Sequence, residues 1–388
     1  MKSFVASGLI NDRGLDELMA ASDAAEYGTV IDLALGDPDL DTDERIVEAA
    51  FEDARRGHTH YAPALGDPEL LAAIRRAWLE DYAVSLSDNQ LMVTASGCHA
   101  MWLLLSAVLD PRDEVVIFSP YFSPYPDQVK LAGGVPVFIE MDPDDGFVPT
   151  ADALRNVIGS STKAVIINTP CNPTGVCLSP DQMSDLVAVC RETETLLVAD
   201  EIYTAYSFEQ PFVPFMSIEG SDGFVAAIRS FSKDFCMSGW RLGYVAAPPD
   251  VIAAMRQVNE SNVFVAPTIS QRAAIRALEL RGDVQGRVHE TYGKRMAYAL
   301  KRIDCIDNLH ADSTEGSLYV FLDIRETGMT SAEFARRMLV EEGVSMVPGT
   351  AFGRSGEGFV RMALRVDTGI LEEVFDRIER VSATVEGR

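Results

Sequence analysis

The sequence predicts an α/β protein: a three-layer domain around a mainly parallel seven-stranded sheet, followed by a smaller α+β domain. Three observations carry the prediction. Seven short runs, at residues 90–95, 114–118, 135–140, 164–168, 196–199, 225–229 and 243–247, are apolar at almost every position and do not alternate. Strands covered on both faces read this way, and parallel sheets are built from such strands. Longer stretches of helical spacing alternate with the runs, among them 98–109, 124–132, 180–192 and 249–257. That is the rhythm of helices layered on both sides of one sheet. Further on the texture changes, with strands at 318–324, 344–347 and 359–366 and helices at 331–341 and 370–381. These make the second, smaller unit.

In chain order, residues 1–30 form a polar lead with one short amphipathic piece at 15–24. A strand from Val30 ends in the turn Gly36-Asp37-Pro38-Asp39. Residues 43–56 have helical spacing, and the loop His58 to Gly66 holds Tyr61 between turn residues. Asp67 caps the next helix, with Pro68 in its first position. Residues 270–303 keep helical spacing with Gly286 inside, which predicts one long or one broken connecting helix. The partition expected is an arm at 1–40 that joins the small domain, a large domain at 41–280 and a small C-terminal domain at 281–388.

Composition narrows the function. The chain has 388 residues, 47% of them hydrophobic, enough for both domains. A net charge of -26 repels nucleic acid and anionic membrane, so neither is expected as a partner. No apolar run approaches the roughly eighteen residues of a membrane-spanning helix, and Met1 to Asp12 lacks the apolar core of a signal peptide. Six cysteines, at 98, 171, 177, 190, 236 and 305, show neither a CxxC pair nor metal-finger spacing. They read as reduced thiols of a cytoplasmic protein.

In such sheets ligands sit beyond the carboxyl ends of the strands. Among the six lysines of the chain, Lys233 stands apart. It lies between serines in Ser230-Phe231-Ser232-Lys233, with Arg241 eight positions on. A lysine there suits a Schiff base with an aldehyde cofactor, with the hydroxyls and arginine left for a phosphate; the plainer reading is a solvated loop lysine. Thr94-Ala95-Ser96-Gly97-Cys98-His99 leads from a strand into a helix, whose free N–H groups, glycine and hydroxyl suit a phosphate. Ser119-Pro120-Tyr121-Phe122-Ser123-Pro124-Tyr125 puts aromatics on a strand-end loop, one to stack on a planar ring or all simply to pack. Asn172, in Asn172-Pro173-Thr174-Gly175, is either a turn residue or an amide donor on a proline-fixed backbone. Asp200 ends an apolar strand, and an acid there needs a cationic partner such as a pyridinium N–H, with Tyr203 close by.

The combination of Asn172-Pro173-Thr174-Gly175, Ala199-Asp200-Glu201-Ile202-Tyr203, Ser230-Phe231-Ser232-Lys233 and Gly239-Trp240-Arg241-Leu242-Gly243-Tyr244 resembles the fold-type I pyridoxal-phosphate aminotransferases, class I/II. The resemblance runs from Gly36 to Arg361. It implies pyridoxal 5'-phosphate as cofactor and ping-pong exchange of nitrogen between an L-amino acid and a 2-oxo acid. Lys233 would hold the cofactor as an aldimine and move the proton at the substrate Cα. Asp200 would pair with the ring nitrogen, Tyr203 and Asn172 with the ring oxygen, and Phe122 would stack on the ring. Ser96, Gly97, Cys98, Ser230 and Arg241 would bind the phosphate. Tyr61 matches a tyrosine that relatives send to that phosphate from a neighbouring subunit, which implies a homodimer with shared sites. Arg361 and Gly36 match the groups that hold the substrate carboxylate, a task suited to a bidentate guanidinium.

The chain also departs from that pattern. Cys98 stands where some dicarboxylate-specific relatives carry lysine, and residues 257–271 lack the arginine that others lend across subunits. The expected side chain is therefore neutral, aromatic or unusual, not a simple dicarboxylate. Glu260 would favour a basic substrate or is plain solvated acid. His58, His60 and His99 lack ligand spacing and read as structural. The same scaffold also serves β-lyases, cyclases and oxidases, though Trp240 leans toward transamination. A cofactor-sensing regulator would carry an added DNA-binding domain and suits the acidic charge poorly.

Overall fold

The computed structural model describes residues 30–311 and 315–383. The amphipathic piece expected at 15–24 lies outside them. The elements in order are β1 (Ile31–Asp32), α1 (Glu44–Arg55), α2 (Pro68–Tyr82), β2 (Leu91–Thr94), α3 (Gly97–Val108), β3 (Glu114–Ser119), α4 (Tyr125–Leu131), β4 (Val135–Glu140), α5 (Ala151–Val157), β5 (Thr162–Asn168), α6 (Pro180–Glu192), β6 (Leu196–Asp200), β7 (Val225–Ser230) and β8 (Gly243–Ala246). They continue with α7 (Pro249–Glu260), α8 (Thr268–Glu279), α9 (Arg281–Ile303), β9 (Tyr319–Asp323), α10 (Ser331–Glu342), β10 (Val344–Ser345), β11 (Val347–Pro348), β12 (Phe359–Ala363) and α11 (Thr368–Ala383).

Seven strands form one sheet in the order β2-β8-β7-β6-β5-β3-β4, and only β8 runs against the rest. Successive residues of the inner strands serve opposite faces. Ile166, Val198 and Ile228 pack with Leu104 and Met255 on one side. Val165, Leu197 and Ala199 pack with Leu186 and Val187 of α6 on the other. Each such side chain contributes roughly 1.5–3 kcal/mol on burial, and both faces need apolar residues, hence the unbroken apolar runs. Strand β4 differs, because as the last strand it is covered less, and Val135 and Phe138 stay exposed.

Local chemistry explains several boundaries. The Asp67 carboxylate accepts from the Glu69 N–H, with Pro68 opening α2. The Ser96 hydroxyl accepts from the His99 N–H and starts α3. The stretch 270–303 is broken at Leu280, not at Gly286, which lies inside α9. The strand expected at 344–347 is two strands: β10 pairs with β1, and β11 pairs with β12. Strands β11, β12 and β9 form the small sheet, and its core gathers Val320, Leu322, Val360 and Met362 against Met296, Phe334 and Phe375 of α9, α10 and α11. Among the described residues no helix is long and apolar enough to cross a membrane.

Candidate active site

Register brings the strand ends together. Asn168 sits opposite Asp200, Ser230 opposite Gly243, and Gly243 opposite Thr94. The loops that follow enclose a cavity of about 270 Å³, lined by Asp200, Tyr203, Lys233, Asn172, Arg361, Ser96, Gly97, Cys98, Phe122, Ser230, Arg241 and Gly36. Of the residues given a cofactor or substrate role in the sequence, only Tyr61 lies elsewhere. Its ring is 81% exposed, edge-on to Phe264 at 5.2 Å.

Asp200, the last residue of β6, is buried. Its Oδ2 accepts from the Tyr125 hydroxyl at 2.5 Å, while Oδ1 is buried with no partner. Burial pushes the carboxyl up to about 6, against the lowering pull of the Tyr125 hydrogen bond. Burial and the neighbouring Asp200 push the Tyr125 phenol well above its usual value, so it stays a donor. An idle carboxylate oxygen in a dry cavity calls for a cationic N–H donor. The protonated ring nitrogen of a pyridine aldehyde meets that demand, so the residues present fit pyridoxal phosphate.

Lys233 reaches the cavity from the loop after β7, and its Nζ donates to the Gly36 carbonyl at 2.5 Å. Any side chain at position 36 would overlap the Tyr319 hydroxyl, at 1.9 Å from a Cβ. The Tyr203 hydroxyl lies 3.5 Å from Asn172 Nδ2 and 3.2 Å from the Tyr319 hydroxyl. Burial holds the Tyr203 phenol protonated, well above its usual pKa.

The start of α3 has the geometry that suits a phosphate. Ser96 takes φ 124°, a strained value for a residue with a side chain, and aims the N–H groups of the first turn at the cavity. Gly243 permits this: a Cβ there would come within 2.8 Å of the Ser96 carbonyl carbon and 2.9 Å of the Gly97 nitrogen. The Ser230 hydroxyl donates to Ser232 Oγ at 3.0 Å, and Arg241 is exposed beside it, tied to the Ser238 carbonyl at 2.8 Å. The Cys98 thiol opens into the same cavity, whose walls push its pKa above the usual thiol value.

Arg361, on β12, is 3% exposed. Its guanidinium donates to Asn172 Oδ1 at 3.1 Å and to the Ala34 carbonyl. It lies against the faces of Tyr319 and Phe352, at 4.4 Å and 4.8 Å. Nε is buried without a partner, and among the described residues no carboxylate pairs with this cation. Desolvation lowers its pKa from the ordinary value. A guanidinium in a cavity with no carboxylate partner among the described residues has the chemistry to take a carboxylate ligand.

His99 points away from chemistry: its Nδ1 accepts from the Ala95 N–H at 3.1 Å, and burial lowers its pKa. Sequence reasoning placed Tyr125 among the loop aromatics without giving it a partner, and it missed Tyr319. Tyr125 opens α4, and its ring meets that of Phe122 edge-on at 5.5 Å. Tyr319 comes from a distant strand and carries no local signal. Also missed was the pair Glu201–Arg229. Chain alternation turns these two away from the cavity, where Arg229 Nε meets Glu201 at 2.8 Å under the rings of Trp78 and Phe212.

Fold and site together define a pyridoxal-phosphate-dependent enzyme of amino-acid chemistry. The chain belongs to aminotransferase class I and II, whose family model matches residues 28–378. It is 36% identical over 364 residues to an aspartate aminotransferase of Pyrococcus abyssi, covering 92% of this chain and 93% of the relative. It is 34% identical to aromatic-amino-acid aminotransferase 2 of Thermococcus litoralis, covering 91% of each. A solved aspartate aminotransferase of Thermus thermophilus with maleate superposes with a TM-score of 0.92 at 31% identity, over 98% of this chain and 100% of that one. The enzyme is a transaminase that moves an amino group between an amino acid and a 2-oxo acid with pyridoxal 5'-phosphate.

Proposed function

We propose that the cavity transaminates an L-amino acid with a neutral or aromatic side chain, with Lys233 as the covalent anchor and proton carrier. The observation that carries the reading is a pair of buried polar atoms without partners on two residues that line one cavity, Asp200 Oδ1 and Arg361 Nε. When bound, the cofactor supplies an electron sink that makes the substrate Cα–H acidic. Asp200 would hold the proton on the ring nitrogen, Tyr203 and Asn172 would hydrogen-bond the ring oxygen, and Phe122 would stack on the ring. Ser96, Gly97, Cys98, Ser230 and Arg241 would hold the phosphate, Cys98 through its backbone N–H. Arg361 grips the α-carboxylate beside Gly36, which places the Cα hydrogen toward Lys233 Nζ. The amine takes that proton and returns it.

Side-chain preference follows from charge. Arg361, Arg241 and Lys233 are the cations that line the cavity, and each has a task. Leu35, Phe122, Met101 and Cys98 line the rest, which favours an uncharged side chain over a second carboxylate. We further infer a homodimer in which Tyr61 reaches the partner's phosphate site, supported by its exposed ring and by exposed Phe264 and Val263 beside it. The free cysteines, two of them buried, favour a reducing, cytoplasmic setting. Domain limits near residues 40 and 280 suit β1, which joins the small sheet region through β10, and the break at Leu280.

The test is borohydride treatment of the holoenzyme followed by peptide mass analysis, together with a rate panel of L-phenylalanine, L-leucine, L-lysine and L-aspartate. Cofactor mass fixed on Lys233, absent from Lys233→Ala, is expected, with L-phenylalanine or L-leucine turned over fastest. Cofactor mass on another lysine overturns the anchor, and a dominant L-aspartate rate overturns the side-chain reading.

A further inference from the structure

The segment Leu33–Asp39 crosses the cavity as a strap. Its middle carries two carbonyls that the site uses: Ala34 accepts from Arg361, and Gly36 accepts from Lys233. Leu35 lies between them at the cavity wall. A strap of irregular backbone has no ladder to hold its height, so its ends decide where the middle lies. One end is fixed directly on β12, where the Ala363 N–H donates to the Leu33 carbonyl at 2.8 Å. The other end is Asp39, which belongs to no strand and has no backbone ladder of its own.

Arg295 of α9 holds that end. Its two terminal nitrogens meet Asp39 Oδ1 at 2.6 Å and Oδ2 at 2.8 Å, the bidentate geometry that fixes direction as well as distance. The same guanidinium donates to the Leu364 carbonyl at 3.0 Å. Leu364 is the residue after β12, three beyond Arg361. Tyr292, one turn earlier on α9, donates to Asp39 Oδ1 at 2.8 Å and accepts from the Asp39 N–H at 3.2 Å. Both ends of the strap are thus referred to one strand, and that strand carries Arg361.

We infer that Arg295 is a positioning residue for carboxylate recognition: by joining Asp39 to Leu364 it sets the distance between the Gly36 strap and Arg361. It never touches substrate. Its neighbour Arg287 donates to the Asp41 carbonyl just beyond the strap, outside this span. A half-buried ion pair that served only stability would leave substrate saturation untouched. A pair that sets the strap changes substrate saturation first, because a displacement of about 1 Å at a binding group costs up to about 100-fold.

The inference rests on Arg361 taking the α-carboxylate, and the experiment separates the two. Holoenzyme carrying Arg295→Lys, Asp39→Asn, Tyr292→Phe or Arg361→Lys is measured for KM and kcat with L-phenylalanine and L-aspartate, for half-saturation by pyridoxal phosphate, and for melting temperature. Arg295→Lys and Asp39→Asn are expected to raise KM about tenfold, with kcat within about threefold and cofactor half-saturation unchanged. The double variant is expected to be no worse than the more affected single, since both break one contact. Unchanged KM in both, with only the melting temperature lowered, overturns the positioning role, as does a KM effect that adds in the double variant. Should Arg295→Lys fail to fold, Tyr292→Phe decides, with a smaller KM rise expected and an unchanged KM overturning the inference. An unchanged KM in Arg361→Lys would instead remove the reading beneath it.

Discussion

The Tyr125 hydroxyl donates to Asp200 at 2.5 Å and occupies one carboxylate oxygen, and the other is buried without a partner. The contact joins the first turn of α4 to the end of β6, 75 residues apart. It sets both the direction of the acid and its charge. A phenol that cannot ionise is a steady donor, and a donor favours the carboxylate over the carboxylic acid.

Loss of that donor moves the acid's titration upward, because the Tyr125 hydrogen bond lowers the Asp200 pKa. In Tyr125→Phe the acidic limb of the kcat/KM profile is expected to shift to higher pH by about one to two units. Near neutral pH the variant loses activity, and it regains part of it on the alkaline side. A pH profile parallel to the parent's would show that Tyr125 does not tune Asp200.

The cofactor-free protein gives a second readout of the same acid. Burial raises the folded carboxyl from 3.8 to about 6. Between those values the folded chain binds more protons than the unfolded one, so this group's contribution falls as pH rises through the window and stays low above it. A rise of that size corresponds to about 3 kcal/mol. Urea unfolding at pH 4 and pH 7 should therefore show a smaller loss of stability in Asp200→Asn than in the parent. An equal loss in both would mean the acid is not held in a dry site.

Glu201 and Arg229 stand back to back with Asp200 and Ser230 and join the ends of β6 and β7. Removal of one partner leaves a buried charge uncompensated, so Glu201→Ala is expected to cost about 3–5 kcal/mol in urea unfolding. Arg229 keeps its contacts with Trp78 and Phe212, which sets the low end of that range. A cost under about 1 kcal/mol would assign the stability of these strand ends to the apolar layers alone.

The legible parts of this protein were those written in short segments. Lys233, Asp200 at the end of β6 and Arg361 of the small sheet each sit in a recognisable stretch, and unbroken apolar runs marked the inner strands. Strand β4 was legible as a strand but not as the exposed one, since its place in the sheet depends on strand order. The Tyr125–Asp200 contact, the rings around Arg361 and the Arg295–Asp39 clamp, whose members lie 256 residues apart, were invisible for one reason. Each depends on two remote segments meeting, and neither segment carries a sign of the other. The break of the long helix fell at Leu280 because glycine tolerates a helix interior at a cost near 1 kcal/mol, so Gly286 was no obligatory stop.

Arg361 gives the protein a property that needs no turnover to observe. Among the described residues its guanidinium lies against aromatic rings with no carboxylate partner, so a small acid that takes that place is expected to raise the melting temperature, because mass action turns occupancy into stability. Ranking small monocarboxylates by the warming they confer would map the shape of the pocket.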